Sequence, residues 1–451
     1  MTSTGLSTGR AWYAVVLFGM LYIVAFIDRM ILGLLVEPMK AALHVGDAEI
    51  SLLIGFNFAL FYSIVGIPLG RLADRGNRRN LILISTIVWT ACTLASGFAT
   101  AFWVLCALRL GVAVGEAALS PSVISLIGDM FPREKRPTPT AIYMCFGAFG
   151  ATSAYIFGGI VVRLLKLYPL AHLPLVGPLP PWRMVFLAVA APAVVLTVLF
   201  ALTIKEPPRE TGSGDLQKQK PMFAWTSPRW LPLISLFGAG AIGQAISIGF
   251  SAWAPTYMFR HFGMDVASAG ISLGVSTMIF GLSGMLIIPP LTARWTRAGR
   301  ADALPLVLLF GTIVGTLGGI GAALAPTPAV FVVCYGFSAL GIMGTGLLLM
   351  IAIQLVALPR MRAELMAVCL IFNSLFAMGS GPTLVTSFAQ WFGHGQLQPG
   401  FLGTTLVCGP ISAFLILIAR KGYVRMARDA EATDQKTSVP PPSITSVTPL
   451  I

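Results

Sequence analysis

The chain has 451 residues, of which 56% are hydrophobic and 10% are charged, whereas soluble globular proteins carry about 25% charged residues. Mean hydropathy is +0.84, and long apolar stretches alternate with short polar ones. This composition excludes a soluble fold. Because one membrane span takes about 20 residues, the length predicts roughly ten to fourteen spans and excludes a single-span receptor.

Charged, proline-rich and glycine-rich segments divide the chain into predicted transmembrane helices, six before a polar linker and six after it. These twelve helices cover residues 11–36, 48–70, 80–99, 101–126, 138–164, 182–203, 232–256, 268–291, 304–324, 328–353, 362–387 and 399–419. The fold class predicted is therefore an all-α polytopic membrane protein. Its predicted regions are an N-terminal six-helix bundle at 1–203, a cytoplasmic linker at 204–231, a C-terminal six-helix bundle at 232–420 and a disordered cytoplasmic tail at 421–451.

The net charge of +13 is informative mainly through its distribution. Of 30 lysines and arginines, 23 lie in the N-terminus, the even-numbered linkers and the tail. The positive-inside rule then places both termini in the cytoplasm. The basic excess reports membrane orientation, so we expect no nucleic-acid partner.

Two weak sequence matches indicate an internal repeat. PLGRLADRGNRR after helix 2 aligns with PLTARWTRAGR after helix 8 at an offset of 222 residues, and Pro132-Arg133 aligns with Pro359-Arg360 at an offset of 227. Both matches fall at predicted cytoplasmic helix ends. They predict two pseudo-symmetric halves related by a parallel repeat.

Ionisable residues deep in the predicted membrane lie only in the first half: Asp28 and Arg29 in helix 1, Arg109 and Glu116 in helix 4. A charge at that depth costs about 2.5–3.5 kcal/mol, so it needs a partner or a cavity. At 1.5 Å per residue, Asp28 and Arg109 fall at about the same level and Glu116 about 10 Å deeper. We expect Asp28, Arg109 and Glu116 to line one pathway; a purely structural pair between helices 1 and 4 is the alternative.

One cation between two carboxylates sets up a competition, because protonating either acid changes which partner Arg109 holds. Asp28, Glu116 and Arg109 are therefore the predicted proton-coupling residues and, since a released arginine can accept an anionic group, part of the predicted substrate site. Arg29 points about 100° away from Asp28 on the helix and receives no role.

The second half offers neutral polar groups, among which Gln244, Trp253 and Asn373 are candidate substrate contacts. A cavity charged on one wall and apolar on the other suits an amphiphile. The four histidines are far apart, so no metal site is expected. Because neither a nucleophile–base set nor a Walker sequence is present, we expect no enzyme activity, no cofactor and no ATP-driven transport. The predicted protonation of Asp28 and Glu116 indicates a proton gradient as the energy source.

The segment GRLADRGNRR, with Gly70, Asp74, Arg75, Arg78 and Arg79, resembles the signature loop of the major facilitator superfamily. Four further stretches resemble bacterial Spinster-like transporters: FIDRMILGLLVEPMK, GFNFALFYSIVGIPLGRLADRGNRRNLI, LRLGVAVGEAALSPS and WAPTYMFRHFGM. The resemblance covers about residues 12–420.

This resemblance implies a twelve-helix fold and a proton-coupled carrier that moves a lysophospholipid or sphingoid-like amphiphile across the bacterial inner membrane by alternating access. It also implies that Asp28, Arg109 and Glu116 form the coupling centre and that the signature loop, with Asp74 and Arg75, forms a cytoplasmic gate. Membrane lipids are the expected surroundings and a monomer the expected state. No proline follows Gly150 in helix 5, which departs from the antiporter motif of the wider family.

Two other functions stay open. A carrier of small organic anions or drugs gains support if charged residues line the cavity on both halves. A polytopic membrane enzyme or receptor requires a catalytic cluster or a large folded domain, whereas the longest linker is only about 28 residues.

Overall fold

The structure is a computed structural model that describes residues 7–166, 171–173, 177–208, 229–357 and 361–438. Within these ranges, twelve helices are long and apolar enough to cross a membrane. They are α1 (Thr8–Leu34), α2 (Asp47–Ala73), α3 (Arg78–Ser96), α4 (Phe102–Met130), α5 (Pro137–Leu165), α6 (Pro181–Thr203), α7 (Trp230–Phe262), α8 (Val266–Arg297), α9 (Ala303–Ala323), α10 (Pro328–Val356), α11 (Val368–Gly393) and α12 (Leu397–Asp429). The prediction of twelve spans is confirmed.

An even number of spans places the beginning of α1 and the end of α12 at the same end of the bundle, referred to as the terminal face. The opposite end is the far face. A short helix, Val36–Leu43, joins α1 to α2 there. Which face lies in the cytoplasm stays a prediction.

The predicted outer linker between α5 and α6 contains a small β-hairpin. Strand β1 (Ala171–Leu173) pairs antiparallel with β2 (Gly177–Leu179), and Ala171 lies opposite Leu179. Among the described residues, this hairpin is the one departure from the predicted all-α fold class.

The prediction of disorder from residue 421 onward is wrong for residues 421–438, because the helix that includes α12 runs from Leu397 to Ser438. Between Gly422 and Pro440 the sequence has no proline or glycine to end it. Tyr423 and Met426 are 3% and 4% exposed and pack in the core of the second half. Residues 439–451 and most of the predicted linker at 204–231 lie outside the described residues.

The apolar core shows where the two halves meet. One cluster belongs to the first half, with residues such as Phe18 and Trp89, and another to the second half, with Leu236 and Leu348. A third cluster, near the far face, contains residues of both halves. The halves therefore share a core toward the far face and have separate cores toward the terminal face.

Close backbone approach between α5 and α8 joins the halves on the far side. A Cβ atom at Gly159 would lie 2.7 Å from the carbonyl oxygen of Ala267, and one at Gly274 would lie 2.7 Å from the backbone nitrogen of Ile156. Only glycine fits such contacts without displacing a backbone. The far-side junction is therefore tight enough to exclude even a methyl group.

Three of the helices at the junction between halves contain a π-helical turn, a feature that often marks functional sites. These turns span Leu52–Phe56 in α2, Thr277–Gly281 in α8 and Asn373–Met378 in α11. The first two are 225 residues apart, between the two offsets of the sequence repeat. The repeat is therefore visible in the backbone as well as in the sequence.

Candidate functional site

Asp28 and Arg109 form a sealed ion pair inside the first half, where α1, α3 and α4 meet. Arg109 Nη1 donates to Asp28 Oδ1 over 3.1 Å, and Asp28 Oδ2 accepts from Trp89 Nε1 (3.1 Å) and Thr93 Oγ1 (2.8 Å). Asp28 and Arg109 are each 1% exposed. The structure brings together the two residues that the depth arithmetic placed at one level.

Glu116 pairs with Arg29, not with Arg109. Arg29 Nη2 lies 2.5 Å from Glu116 Oε2, and the side chains are 16% and 2% exposed. The expectation that Arg109 holds either carboxylate in turn is therefore corrected. Arg109 is already bonded to Asp28, and Glu116 lies seven residues further along α4, a rise of about 10 Å. Arg29 emerges from the next face of α1, and its long side chain reaches Glu116.

The guanidinium of Arg29 is enclosed by aromatic rings. Its Cζ atom lies 4.6 Å from the ring centre of Phe58 and 5.3 Å from those of Phe26 and Tyr62. Rings at this distance attract a cation through the negative charge of their faces. Phe26 stands on α1, Phe58 and Tyr62 on α2. Arg29 is therefore held by an aromatic cage as well as by a carboxylate.

Arg29 also lines a small cavity of about 20 Å³ between the two halves. Its walls are Arg29, Met30, Gly33, Ile54 and Tyr155 from the first half, and Ile248, Ser251, Ala252 and Met378 from the second. Arg29 is the charged member of this set. The cavity therefore has a charged wall on the first half and a mainly apolar wall on the second, as expected, but the charge comes from a residue that received no role.

The ion pair at this cavity keeps unused hydrogen-bonding capacity. Nε of Arg29 and Oε1 of Glu116 are buried and have no partner. Buried polar atoms are usually paired, and an unpaired one costs about 1–3 kcal/mol. Each member of the pair thus keeps one polar atom without a hydrogen bond, and Arg29 is the member that lines the cavity.

The three polar candidates of the second half lie away from the walls described for this cavity. Trp253 is fully buried and donates from Nε1 to Ser51 Oγ over 3.1 Å, so it ties the halves together. Gln244 faces α10, since a Cβ atom at Gly346 would lie 2.6 Å from its Nε2. Asn373 is half-buried at the beginning of the π-helical turn in α11. Their contact with substrate stays a prediction.

Two arginines of the signature loop bind within the first half. Arg78 donates from Nη1 to Asp129 Oδ2 over 2.5 Å and from Nε to Glu206 Oε1 over 2.9 Å. The backbone N–H of Arg79 donates to Glu206 Oε2 over 2.7 Å, and its Nη2 donates to the carbonyl of Ala201. These contacts fasten the beginning of α3 to the ends of α4 and α6. The described partners of Arg78 and Arg79 are all in the same half, and a gating role for these two residues stays a prediction.

The remaining gate candidates lie nearby, in the last turns of the helix that includes α2 and continues to Arg75. Arg75 is exposed and Gly70 is half-buried, with open space around the position of a Cβ atom. Asp74 lies in the helix, but its side chain is outside the described part of the structure. A gating role for these three residues stays a prediction.

Two layers of polar contacts close the far side between the halves. In the inner layer, Ser51 Oγ donates to the carbonyl of Pro382 over 3.1 Å and lies 3.0 Å from Thr386 Oγ1, and the Tyr155 hydroxyl donates to the carbonyl of Ser251. The outer layer consists of Glu37, Lys40, Asp47 and Arg260. This cluster was not predicted from the sequence.

Among the described residues, no group of three or more histidine, cysteine, aspartate or glutamate side chains is arranged to hold a metal ion.

Curated proteins of known description resemble this chain over most of its length. An "MFS-type efflux pump" of Mycolicibacterium smegmatis is 28% identical over 385 residues, which are 83% of this chain and 84% of that protein. Human "Protein spinster homolog 1" is 27% identical over 331 residues, 69% of this chain and 60% of that protein. The bovine protein of the same description is 26% identical over 411 residues, 86% and 74% of the two chains.

Solved structures share the fold. A crystal structure of a bacterial homolog of the human lysosomal transporter Spinster, in an inward-facing and unoccupied conformation, matches with a TM-score of 0.76 and 24% identity, covering 95% of this chain and 99% of that chain. A D-xylose-proton symporter matches with a TM-score of 0.65 and 14% identity, covering 91% and 97%. These matches confirm the fold, and with the curated relatives they confirm the resemblance to Spinster-like transporters.

The family model of the Major Facilitator Superfamily matches residues 18–378, which run from within α1 into α11 and include all four deep ionisable residues. This match agrees with the twelve spans, the internal repeat and the cavity between the halves. The chain belongs to the major facilitator superfamily.

Proposed function

We propose that this protein is a proton-coupled secondary transporter that moves an amphiphilic lipid of the lysophospholipid or sphingoid kind by alternating access. Its place is the bacterial inner membrane, with the terminal face in the cytoplasm. The observation that carries the proposal is the Arg29–Glu116 ion pair beside the small cavity between the halves. This pair keeps one buried donor and one buried acceptor without a hydrogen bond.

The ion pair supplies the coupling. When Glu116 takes up a proton it loses its charge, and its hold on Arg29 weakens. The freed guanidinium then binds an anionic group of the substrate, and loss of that group favours deprotonation of Glu116 and return of the pair. Proton and substrate thereby favour the same state of the pair, in which Glu116 is neutral and Arg29 is free to bind the anionic group.

Asp28 and Arg109 form a second ion pair, which has a different role in this proposal. Because Asp28 accepts from Arg109 on α4 and from Trp89 and Thr93 on α3, its protonation would weaken its bonds to two other helices of the first half. We propose that Asp28 is the second protonation site and that its titration alters the packing of α1 against α3 and α4, whereas Glu116 exchanges directly with substrate.

The division of the cavity supports an amphiphile. Arg29 and its aromatic cage form the polar end, while Ile248, Ala252 and Met378 present apolar surface on the opposite wall. A polar headgroup would lie at Arg29 and an apolar chain along the second half. The lipid surroundings, the monomeric state and the absence of nucleic-acid partners and cofactors belong to this proposal.

The test uses purified protein in liposomes with an imposed pH gradient and a fluorescent lysophosphatidylcholine as the probe. We expect the gradient to drive lipid movement, and Glu116→Gln and Asp28→Asn to abolish that dependence. Glu134→Gln is the matched control, because Glu134 is an exposed acid at the terminal face. Lipid movement that does not depend on the pH gradient and is unchanged in Glu116→Gln and Asp28→Asn would overturn the proposal.

A second candidate is export of small organic anions or drugs. The printed description of the mycobacterial relative as an efflux pump favours it. Binding measurements with lysolipids, sphingoid bases and small aromatic anions discriminate the two. Tight binding of small anions that depends on Arg29, without lysolipid binding, would favour this second function.

A further inference from the structure

We propose that Glu37, Lys40, Asp47 and Arg260 form an ionic lock between the two halves, and that release of Arg260 is the step that opens the far face. These four residues are referred to as the far-face lock. The inference rests on the alternating access of the proposed function, but on neither its substrate nor its proton coupling.

The geometry of the far-face lock is specific. Arg260 donates from Nη1 to Asp47 Oδ2 over 2.7 Å and from Nη2 to Asp47 Oδ1 over 2.8 Å, while its Nε donates to Glu37 Oε1 over 2.6 Å. Lys40 contacts Asp47 as well. Two parallel bonds between a guanidinium and one carboxylate are stronger and more directional than a single contact. Arg260 therefore uses both edges of its guanidinium to hold two carboxylates.

The positions of the charges on their helices strengthen the arrangement. Asp47 is the first residue of α2, at the positive end of the helix dipole, and Arg260 is in the last turn of α7, at the negative end. Side-chain exposure is 15% for Asp47 and 27% for Arg260, so solvent screens these charges only in part. The lock is thus more than a pair of freely solvated surface ions.

The lock divides unequally between the halves. Glu37, Lys40 and Asp47 belong to the first half, and Arg260 belongs to the second. Separating the halves would leave two carboxylates with one ammonium on one side and an unpaired guanidinium on the other. The other charged or titratable groups of the adjoining segments are His44 and Glu49 in the first half and His261 and Asp265 in the second. Opening therefore separates opposite charges.

The lock is connected to the inner layer of contacts. Cζ of Arg260 lies 5.9 Å from the ring centre of Trp253, and Trp253 Nε1 donates to Ser51 Oγ. Trp253 and Arg260 are seven residues apart, two turns along α7. Movement of Arg260 away from α2 would carry Trp253 away from Ser51, so both layers open together.

The experiment measures far-side opening directly. Spin labels at Ala41 and Gln396, exposed far-face positions in the first and second halves, report the distance across the far side by pulsed electron resonance in nanodiscs. The background carries replacements of the six native cysteines. We expect Arg260→Gln to raise the ratio of open to closed far-side populations about five-fold, the equivalent of ~1 kcal/mol. High salt should shift the wild type in the same direction.

Arg163→Gln is the matched control, because Arg163 is an exposed arginine near the far end of α5 outside the lock. Arg260→Lys keeps the charge without the two-bond geometry, so an intermediate shift is expected, and it replaces Arg260→Gln if that variant does not fold. Asp47→Asn with Arg260→Gln should shift the ratio no more than the larger single substitution.

An unchanged distance distribution in Arg260→Gln, an equal shift in Arg163→Gln, or fully additive effects of Asp47→Asn and Arg260→Gln would overturn the lock. The measurement needs neither substrate nor a pH gradient. If Arg260→Gln leaves the distances unchanged while the pH gradient still drives transport, the lock fails and the proposed function stands. If the distances shift as expected but transport does not depend on the gradient, the proposed function fails and the lock stands.

Discussion

Arg29 and Glu116 form an ion pair of 2.5 Å at the edge of the cavity between the halves. Asp28, the residue before Arg29 on α1, pairs with Arg109 over 3.1 Å. Two successive residues of one helix thus hold two separate partners on α4. The Asp28–Arg109 pair is sealed within the first half, and the Arg29–Glu116 pair adjoins the space between the halves. This difference in location underlies the proposal that the first pair acts through the packing of the half and the second through contact with substrate.

Arg29→Gln should weaken binding of an anionic amphiphile about ten-fold or more, since a hydrogen bond to a charged group contributes about 1.5–3 kcal/mol. The measurement is titration of detergent-solubilised protein with a lysolipid that carries an anionic headgroup. Arg29→Lys keeps the charge and should retain part of the affinity. Arg163→Gln serves as the control; equal affinities in Arg29→Gln and the wild type would contradict a substrate role for this side chain.

Arg109→Gln should destabilise the protein strongly, by about 3–5 kcal/mol, because Asp28 would be left buried without its cation. Asp28→Asn in the same chain removes that charge, so the double variant should recover much of the loss. Unfolding of the purified variants in mixed detergent micelles measures the free energy of unfolding. A double variant less stable than Arg109→Gln alone would argue against direct coupling between these two side chains.

Arg78→Gln should be far more damaging than Arg420→Gln, although each residue fastens helix ends within its own half. Arg78 is 3% exposed at its side chain and holds Asp129 and Glu206, so its loss removes a charged hydrogen-bond donor from each of two carboxylates. Arg420 is 42% exposed and holds Asp302 over 2.5 Å, and exposed pairs contribute only about 0–1 kcal/mol. Thermal unfolding of both variants at neutral pH checks this order. A comparable loss of stability in Arg78→Gln and Arg420→Gln would contradict it.

The Asp302 pair has a defined pH dependence. The hydrogen bond from Arg420 holds the pKa of Asp302 below its usual value. Its stabilisation is therefore complete above the pKa of the unfolded chain and is lost as the pH falls through the lower pKa of the folded protein. Unfolding of wild type and Asp302→Asn should differ slightly at neutral pH and converge in acid. A stability difference between wild type and Asp302→Asn that increases as the pH falls would contradict this prediction.

Gly159→Val should disfavour closure of the far side, because a Cβ atom there would lie 2.7 Å from the carbonyl oxygen of Ala267 across the junction. The distance assay between labels at Ala41 and Gln396 should show a larger open population. Gly128→Ala is the matched control, since no other atom lies within 4 Å of its added Cβ, and it should leave the distances unchanged. A closed distribution in Gly159→Val would show that α5 and α8 adjust without separating.

Hydropathy was sufficient to predict the spans, because a bilayer requires long apolar helices whose backbone groups are satisfied internally. The meeting of Asp28 with Arg109 was also predictable, since helix rise fixes the depth of a residue once its direction of travel is known. The partner of Arg29 was not predictable in this way. The side chain of Arg29 is long enough to contact Glu116 although the two Cα atoms lie at different depths. A calculation of depth from Cα positions does not include the length of the side chain.

The far-face lock required the three-dimensional structure for another reason. Glu37 and Arg260 are 223 residues apart, and each, taken alone, is an ordinary charge near a helix end. Their meeting depends on how the two halves dock, which no periodicity within one helix records. The same holds for Arg78, whose partners Asp129 and Glu206 come from the ends of two other helices.

Proton movement driven by a lysolipid gradient tests the exchange at Arg29 and Glu116 most directly. Liposomes that contain the protein and a trapped pH indicator receive lysophosphatidylcholine on one side, with no pH gradient imposed. The wild type and Glu134→Gln should change the internal pH as the lipid moves, and Glu116→Gln should not. Lipid movement in the wild type without any change in internal pH, or an undiminished pH change in Glu116→Gln, would contradict the account.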